Sequence, residues 1–378
     1  MSVVGYAYPW DVVGDPAAAQ RMLDVGVDAI ALAANYHAAR AATPLHPEHR
    51  FVDVEHAACY LPVRTERWRG RRLVPAQPSW VGPDSFRHAR DELRRVGLPV
   101  HAWIVLTHNS LLGTRHAEYS ARNAFGEPLR HGLCPAHDEV VDYCTTLVAE
   151  IVDLGEPDGV ILEACGPMGA AHAGLHDKAD LAGWSPVDWQ LLSICFCSAC
   201  ADVLAGEKVD PSVAAAAVRA AIGSAAASVP QALGVELANR LGAARRRGTA
   251  SLRRRVLETI RERTNVPITL HASAAPWATG SFAWTDAEHG CDVLVASCWT
   301  EPAADAVRSL AHIRGGARVG AYVRPDTSTR AADELMRDCV AAGLDELHLY
   351  HLGLAGPEGL RRLAACAAAF RAARQARL

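Results

Sequence analysis

The feature that most constrains the fold of this 378-residue chain is a junction that it repeats. At Gly26, Gly97, Gly155, Gly290, Gly315 and Gly343 a segment of helical periodicity reaches a glycine, and an apolar strand-like run begins after one or two intervening residues. Glycine just past a helix end turns the chain at little cost, because it adopts the left-handed conformation freely. Strand-like runs fall at 3–8, 28–32, 100–106, 158–163, 266–271, 292–296, 318–323 and 346–351. Eight such runs alternating with helices predict an α/β chain closed as a (β/α)8 TIM barrel. A doubly wound open sheet is the runner-up. No Gly-x-Gly-x-x-Gly follows the first strand and no Walker phosphate loop is present, so nucleotide-binding versions of that fold lack their signal.

Two segments depart from the alternation. Residues 38–83 between strands two and three are irregular and rich in proline and arginine, with short strand-like pieces such as Phe51-Val52-Asp53-Val54. Long loops inside compact domains are usually functional, so this one is expected to cover the open end of the barrel and shape a pocket. Residues 185–263 are alanine-rich and largely helical, broken at Gly206, Pro211 and Pro230. That is too much for one crossover helix and predicts a helical insertion after strand four. The expected organisation is a single domain over 1–378. Half of the residues are hydrophobic and 21% are charged, which suits a sizeable core.

Strand four carries the first chemical signal. Val160-Ile161-Leu162 is an apolar run, Glu163 ends it, and Gly166-Pro167 breaks the chain soon after. In parallel α/β folds the working side chains sit at the carboxyl ends of strands, so Glu163 is a candidate catalytic carboxyl rather than a surface loop residue. The second signal is Cys195-Phe196-Cys197-Ser198-Ala199-Cys200. Three thiols at this spacing suit tetrahedral Zn²⁺, which takes four ligands. Cys134, Cys144 and Cys165 compete for the fourth place. Cys134, in a loop beside Pro135, is preferred over Cys144, which lies on the apolar face of the helix at 139–154. Buried free thiols, or one disulfide and a spare thiol, are the alternatives.

The stretch from Cys134 to Cys200 resembles the catalytic barrel of glycoside hydrolase family 42 β-galactosidases and related glycoside-hydrolase-like barrels. The resembling residues are Cys134-Pro135 before a helix, Glu163 at the end of strand four, and the Cys195, Cys197, Cys200 cluster. The resemblance implies that Glu163 is the acid/base of glycoside cleavage and that Cys134, Cys195, Cys197 and Cys200 hold a structural zinc. It also implies a nucleophile at the end of strand seven, where this chain offers Asp326. Asp11 and Glu301 are in reserve. One position differs: Leu162 precedes Glu163 where the family has asparagine.

The remaining strand ends supply aromatic and hydrogen-bonding groups. Strand one ends near Tyr8, Trp10 and Asp11, and strand two near Asn35, Tyr36 and His37. Thr107 and His108 follow strand three, and His271 ends strand five. Trp299, Arg324, and the pair Tyr350 and His351 follow strands six to eight. Sugars suit such a set, because their ring faces stack on aromatic rings and their hydroxyls need donors and acceptors. The expected function is therefore two-carboxylate hydrolysis of a small glycoside or oligosaccharide. The alternatives are a glycan-binding or assembly barrel without catalysis, or a lyase or isomerase on the same fold. A zinc amidohydrolase would need His-x-His on strand one, where Tyr6-Ala7-Tyr8 stands.

The net charge of −4 gives no electrostatic case for nucleic acid. No run approaches membrane-spanning length, and the N-terminus lacks the pattern of a signal peptide. An odd count of eleven cysteines suggests reduced thiols and a cytoplasmic location. A homo-oligomer is compatible with these features. The arginines at 245–255 are expected on a solvated helix face.

Overall fold

The structure is a computed structural model that describes residues 2–172, 178–287, 289–299, 302–324 and 331–377. Eight parallel strands close into a barrel. They are β1 (Ser2–Ala7), β2 (Ala29–Tyr36), β3 (Val100–Val105), β4 (Gly159–Glu163), β5 (Ile268–His271), β6 (Val293–Ser297), β7 (Arg318–Val323) and β8 (Glu346–Leu349). Each pairs with its successor, and β8 returns to β1. The chain is a (β/α)8 TIM barrel, and its strands are buried almost throughout, as a sheet covered on both faces requires.

The outer helices are α1 (Ala18–Asp24), α2 (Ser85–Arg95), α3 (Asp138–Gly155), α4 (Val235–Arg261), α5 (Ala303–Ile313), α6 (Ala332–Ala341) and α7 (Pro357–Gln375). Among the described residues no α-helix joins β5 to β6; a single 3₁₀ turn at Gly280–Phe282 lies there. Helix α1 begins at Ala18 rather than at the pair Asp15-Pro16, whose proline would suit a first helical position. Pro16 precedes it, and Asp15 accepts a hydrogen bond from the Ala17 amide, 3.0 Å away. Five of the six junction glycines have positive φ: Gly26, Gly97, Gly290, Gly315 and Gly343. The sixth is a correction. Gly155 is the last residue of α3, and Glu156 takes the left-handed turn instead, at φ 41°. Gly155 is there for space, since a Cβ would come within 3.0 Å of the Phe86 ring.

The segment after β2 does two things. Ala39–Ala42 and Phe51–Val54 form a hairpin beside the end of β1, where His46 meets the Val13 carbonyl. Ala58–Cys59 then adds an antiparallel pair to Asn35–Tyr36. Beyond it Tyr60, Leu61, Trp68 and Leu73 enter the main core, and Arg64 and Arg67 bind the buried Glu150 of α3. This half of the segment is wall as much as cover.

The helical insertion after β4 contains Pro186–Leu192, Ser198–Gly206, Pro211–Ala221 and Val229–Leu233 before α4 begins. These helices and the start of α4 bury their own apolar cluster around Leu191, Ile194, Leu204, Val218 and Leu241. The arginine run on α4 is not a uniformly solvated face. Arg253 is buried and donates to the carbonyl of Cys165 at 3.0 Å, while Arg254 and Arg255 are exposed. Positions 245, 249, 252, 253 and 256 fall on one stripe of a 3.6-residue helix, and that stripe faces the barrel. No described helix is long and apolar enough to cross a membrane.

Candidate active site and thiol cluster

Glu163 closes β4 at the carboxyl end of the barrel, and its side chain lies inside, only 5% exposed. Trp103 Nε1–H donates to Glu163 Oε2 at 2.8 Å, and His271 Nδ1 stands 3.5 Å from the same oxygen. Burial pushes the Glu163 carboxyl up to about 7, against the opposing pull of hydrogen bonds from Ser281 and Trp103. The next residue, Ala164, is held in the left-handed region at φ 51°. Such a conformation in a residue with a Cβ costs roughly 1–3 kcal/mol and persists where its surroundings enforce it. The enforcing contacts are specific. Thr107 Oγ1–H donates to the carbonyls of Ala164 at 2.8 Å and Gly166 at 2.7 Å, and the Ala164 amide donates to Ser281 O.

Rings surround this carboxyl. Tyr8 stacks on Trp10 at 4.4 Å, on His351 at 4.2 Å and on Trp103 at 5.8 Å. Tyr36 meets Tyr8 and Trp103 edge-on. Phe282 lies flat on His271 at 4.5 Å, and Trp299 stacks on Tyr322. Arg324, at the end of β7, places its guanidinium over Trp299 at 4.9 Å. Arg324, Tyr350 and His351 line a pocket of about 490 Å³ that Glu163 does not line.

The other strand-end residues divide. Asp11 is buried, accepts from the Tyr8 amide at 2.7 Å, and faces His351 Nδ1 at 3.8 Å. Burial raises its carboxyl to about 8 and pushes His351 down to about 3. Asn35 lies within β2, which runs on to Tyr36, and both ends of its amide serve Val105. Nδ2–H donates to the carbonyl at 2.6 Å, and Oδ1 accepts from the amide at 3.1 Å. It therefore patches the bulge where β2 slips against β3. His37 stacks between Tyr36 and His108. His108 in turn meets His172, with the two Nε2 atoms 3.0 Å apart. Burial lowers His37 to about 4 and holds His108 well below the usual imidazole range. Asp326 and Glu301 lie outside the described residues. Tyr6, Trp103, Tyr322 and His348 belong to the same interior, though strand-end reasoning passes over them. Their signal is alternation: Tyr6 is two residues before Tyr8, and His348 two before Tyr350, so each pair shares a strand face.

Cys134, Cys195, Cys197 and Cys200 bring their sulfurs within 4.8 Å of one another. Cys134 lies 3.4 Å from Cys200, 3.6 Å from Cys197 and 3.8 Å from Cys195. Sulfurs around a tetrahedral zinc with bonds of about 2.3 Å would be roughly 3.8 Å apart, so the cluster has the size of such a site. Cys144 is fully buried in the main core, and Cys165 is buried beside Arg253. None of the eleven cysteines is in a disulfide.

No protein-family model and no curated protein matches the chain. Solved structures do. An α-L-fucosidase isoenzyme 2 from Paenibacillus thiaminolyticus aligns over 99% of this chain at 13% identity and a TM-score of 0.58; the chain spans half of that protein's length. The PgaB (BpsB) glycoside hydrolase domain from Bordetella bronchiseptica aligns over 97% of this chain and 98% of its own, at 15% identity and a TM-score of 0.56. The catalytic domain of a β-amylase from Paenibacillus polymyxa aligns over the same shares, at 12% identity and a TM-score of 0.57. At these identities the likeness is one of fold, the (β/α)8 barrel.

Proposed function

We propose that this barrel cleaves a glycosidic bond and that Glu163 is the proton donor to the leaving oxygen. The observation that carries the reading is the state of Glu163: a carboxyl at the end of β4, raised by burial to about 7 and oriented by Trp103 and His271. A sugar alkoxide is a poor leaving group, and an acid that keeps its proton near neutrality lowers that barrier most. The glycoside hydrolase neighbours add support at the level of fold. Asp326, shortly after Arg324, is the proposed partner carboxylate. Trp299, Tyr350, His351 and Arg324 are proposed to bind the sugar, and the hairpin of the 38–83 segment to border it. The substrate class is a small glycoside or oligosaccharide.

The four thiols are proposed to hold one structural Zn²⁺. An all-thiolate site is closed, with no open position for substrate, so the metal's part is to tie the Cys134 loop to the insertion. Cytoplasmic location remains part of the same proposal, on the strength of the free thiols.

The test is hydrolysis of a panel of nitrophenyl glycosides and natural disaccharides by the wild type and by Glu163→Gln. The variant should lose on the order of 10²–10⁴-fold on natural glycosides, and less on dinitrophenyl glycosides, whose leaving group needs no proton. Equal rates on both would remove Glu163 as the acid. One observation favours a second reading, a barrel that binds glycans without cleaving them: Glu163 is buried and does not line the Arg324–Tyr350–His351 pocket. Glycan binding with no turnover on the whole panel would establish that reading instead.

A further inference from the structure

A column of polar side chains runs down the barrel axis below Glu163. Starting at its carboxylate, His271 Nδ1 is 3.5 Å away, and His271 Nε2 is 2.7 Å from the Tyr6 hydroxyl. The same hydroxyl lies 3.1 Å from His348 Nδ1, and His348 Nε2 lies 3.5 Å from Glu346 Oε2. Arg318 closes the column on Glu346 Oε1. Glu163 and His271 end their strands, while Glu346 and Arg318 begin theirs. The column therefore spans the barrel from its carboxyl end to its amino end. Both histidines are fully buried, and the Arg318 side chain is half exposed.

Barrel interiors are normally filled by branched aliphatic residues, and buried polar groups cost stability unless they are paired. This barrel makes room for its rings. A Cβ on Gly320 would sit 3.0 Å from the His348 ring, and one on Gly159 would sit 2.7 Å from the ring of His101, beside Glu346. His271 Nδ1 and His348 Nε2, the two nitrogens that face carboxylates, have no other partner.

The Tyr6 hydroxyl decides how the column works. It has one proton and touches two imidazole nitrogens, so it donates to one and accepts from the other. Two orientations follow. In the first, Glu163 is protonated and donates to His271 Nδ1. His271 Nε2–H then donates to Tyr6, Tyr6 O–H to His348 Nδ1, and His348 Nε2–H to the Glu346 carboxylate. In the second, every proton has moved one link. Glu346 holds a proton and donates to His348 Nε2, His348 Nδ1–H donates to Tyr6, Tyr6 to His271 Nε2, and His271 Nδ1–H to the Glu163 carboxylate. Both orientations carry one negative charge and the same number of protons.

We infer that Glu163, His271, Tyr6, His348 and Glu346 form a proton relay in which the two carboxyls, at opposite ends of the barrel, share one proton. Converting the second orientation to the first moves four protons one link each: Glu346 to His348 Nε2, His348 Nδ1 to Tyr6, Tyr6 to His271 Nε2, and His271 Nδ1 to Glu163. The reverse shift returns the proton to Glu346, and neither direction gains or loses a proton. The two 3.5 Å links must shorten to about 3 Å for transfer, the ordinary length of such hydrogen bonds. Other groups facing the ends are Ser281, Trp103, Tyr36, Tyr322 and Tyr350 around Glu163, and His101 with Arg318 around Glu346. The relay decides whether the proposed acid or Glu346 holds the shared proton and so rests on that reading, but its test needs no substrate.

The test is nitrogen-15 NMR of protein labelled in its histidine rings, with His271 and His348 assigned through His271→Gln and His348→Gln. Near neutral pH both rings should carry their proton on the same nitrogen, Nδ1 or Nε2, in the same proportion. Glu163→Gln should change that proportion in His348, three links away. In Tyr6→Phe the two rings should no longer match, and adding Glu163→Gln should leave His348 unchanged. Should Tyr6→Phe fail to fold, Glu346→Gln reads the column from its other end and should change the proportion in His271. A His348 ring indifferent to Glu163→Gln, or still responding in Tyr6→Phe, overturns the relay. An absence of glycosidase activity with the two rings still coupled overturns only the assigned reaction.

Discussion

Trp103 and Glu163 stand on neighbouring strands but not opposite each other. Glu163 pairs with Val105, and the Trp103 indole reaches two residues up the barrel interior to donate to Glu163 Oε2 at 2.8 Å. A donor aimed at the carboxylate favours its ionised form, so it holds the Glu163 pKa below what burial alone would set. Trp103→Phe removes the donor and keeps a ring. The Glu163 midpoint should therefore move above its value of about 7, which carboxyl-labelled NMR or the basic limb of a pH–rate profile would register. A midpoint that falls would mean that the indole excludes water rather than donating.

Glu163 also makes stability depend on pH, with a sign opposite to that of most carboxylates. Its folded pKa of about 7 lies above the model-peptide value of 4.5, so the folded state prefers the proton. The stability it supports is complete below the unfolded value and is lost as pH rises through about 7. A shift of this size corresponds to on the order of 3 kcal/mol. Glu163→Gln should be no more stable than the wild type at pH 4.5 and more stable at pH 8. Asp11→Asn should behave alike, since burial raises Asp11 to about 8. Urea unfolding at the two pH values measures both gaps. A gap that is constant with pH would mean that neither carboxyl carries its shift.

The barrel and its turns are legible in the sequence because eight apolar runs and six glycines repeat one unit. Glu163 is legible too, since an acidic residue directly ends an apolar strand. The axial column is not. Tyr6, His271 and His348 are separated by more than 70 residues each way, and only closure of β8 onto β1 brings them together. Asn35 misleads for a related reason. Its type suggests ligand binding, but β2 runs on to Tyr36, four residues past the run at 28–32, and the bulge there takes both ends of its amide. Arg253 reads as one charge among six arginines between 245 and 255, and only helical phase separates it from its exposed neighbours.

The wall built by residues 58–73 has a measurable consequence. Trp68 is buried against Tyr143 of α3, and Arg64 and Arg67 pin the buried Glu150. Trp68→Ala should cost about 3–5 kcal/mol, the usual range for deleting a buried aromatic ring. Glu150→Ala should cost less, because Arg64 and Arg67 are half exposed and can turn to solvent. Denaturant melts of the two variants rank them. The reverse order would place the strength of this wall in the ion pairs.

The thiol cluster leads to the last prediction. Four thiolates around a divalent zinc carry a net charge of −2, and burying that charge is costly unless a cation lies nearby. Arg245 is placed to supply it. With Cys134, Cys195 and Cys200 it lines a small, mostly apolar cavity of about 40 Å³, and its guanidinium lies 5.1 Å over the Trp277 ring. Its Nη1 has no hydrogen-bond partner within the described residues. Purified protein should carry one zinc per chain. Cys197→Ser should lose that zinc and melt at lower temperature, since a structural metal's binding energy is folding energy. Arg245→Met keeps all four ligands and most of the side-chain volume, so its effect isolates the charge. It should weaken zinc retention roughly 10–100-fold, as loss of an outer-shell partner commonly does. Competition with a chromogenic chelator measures this directly. Equal retention by wild type and Arg245→Met would assign the arginine to packing on Trp277 alone, and zinc-free protein with four freely reactive thiols would remove the metal altogether.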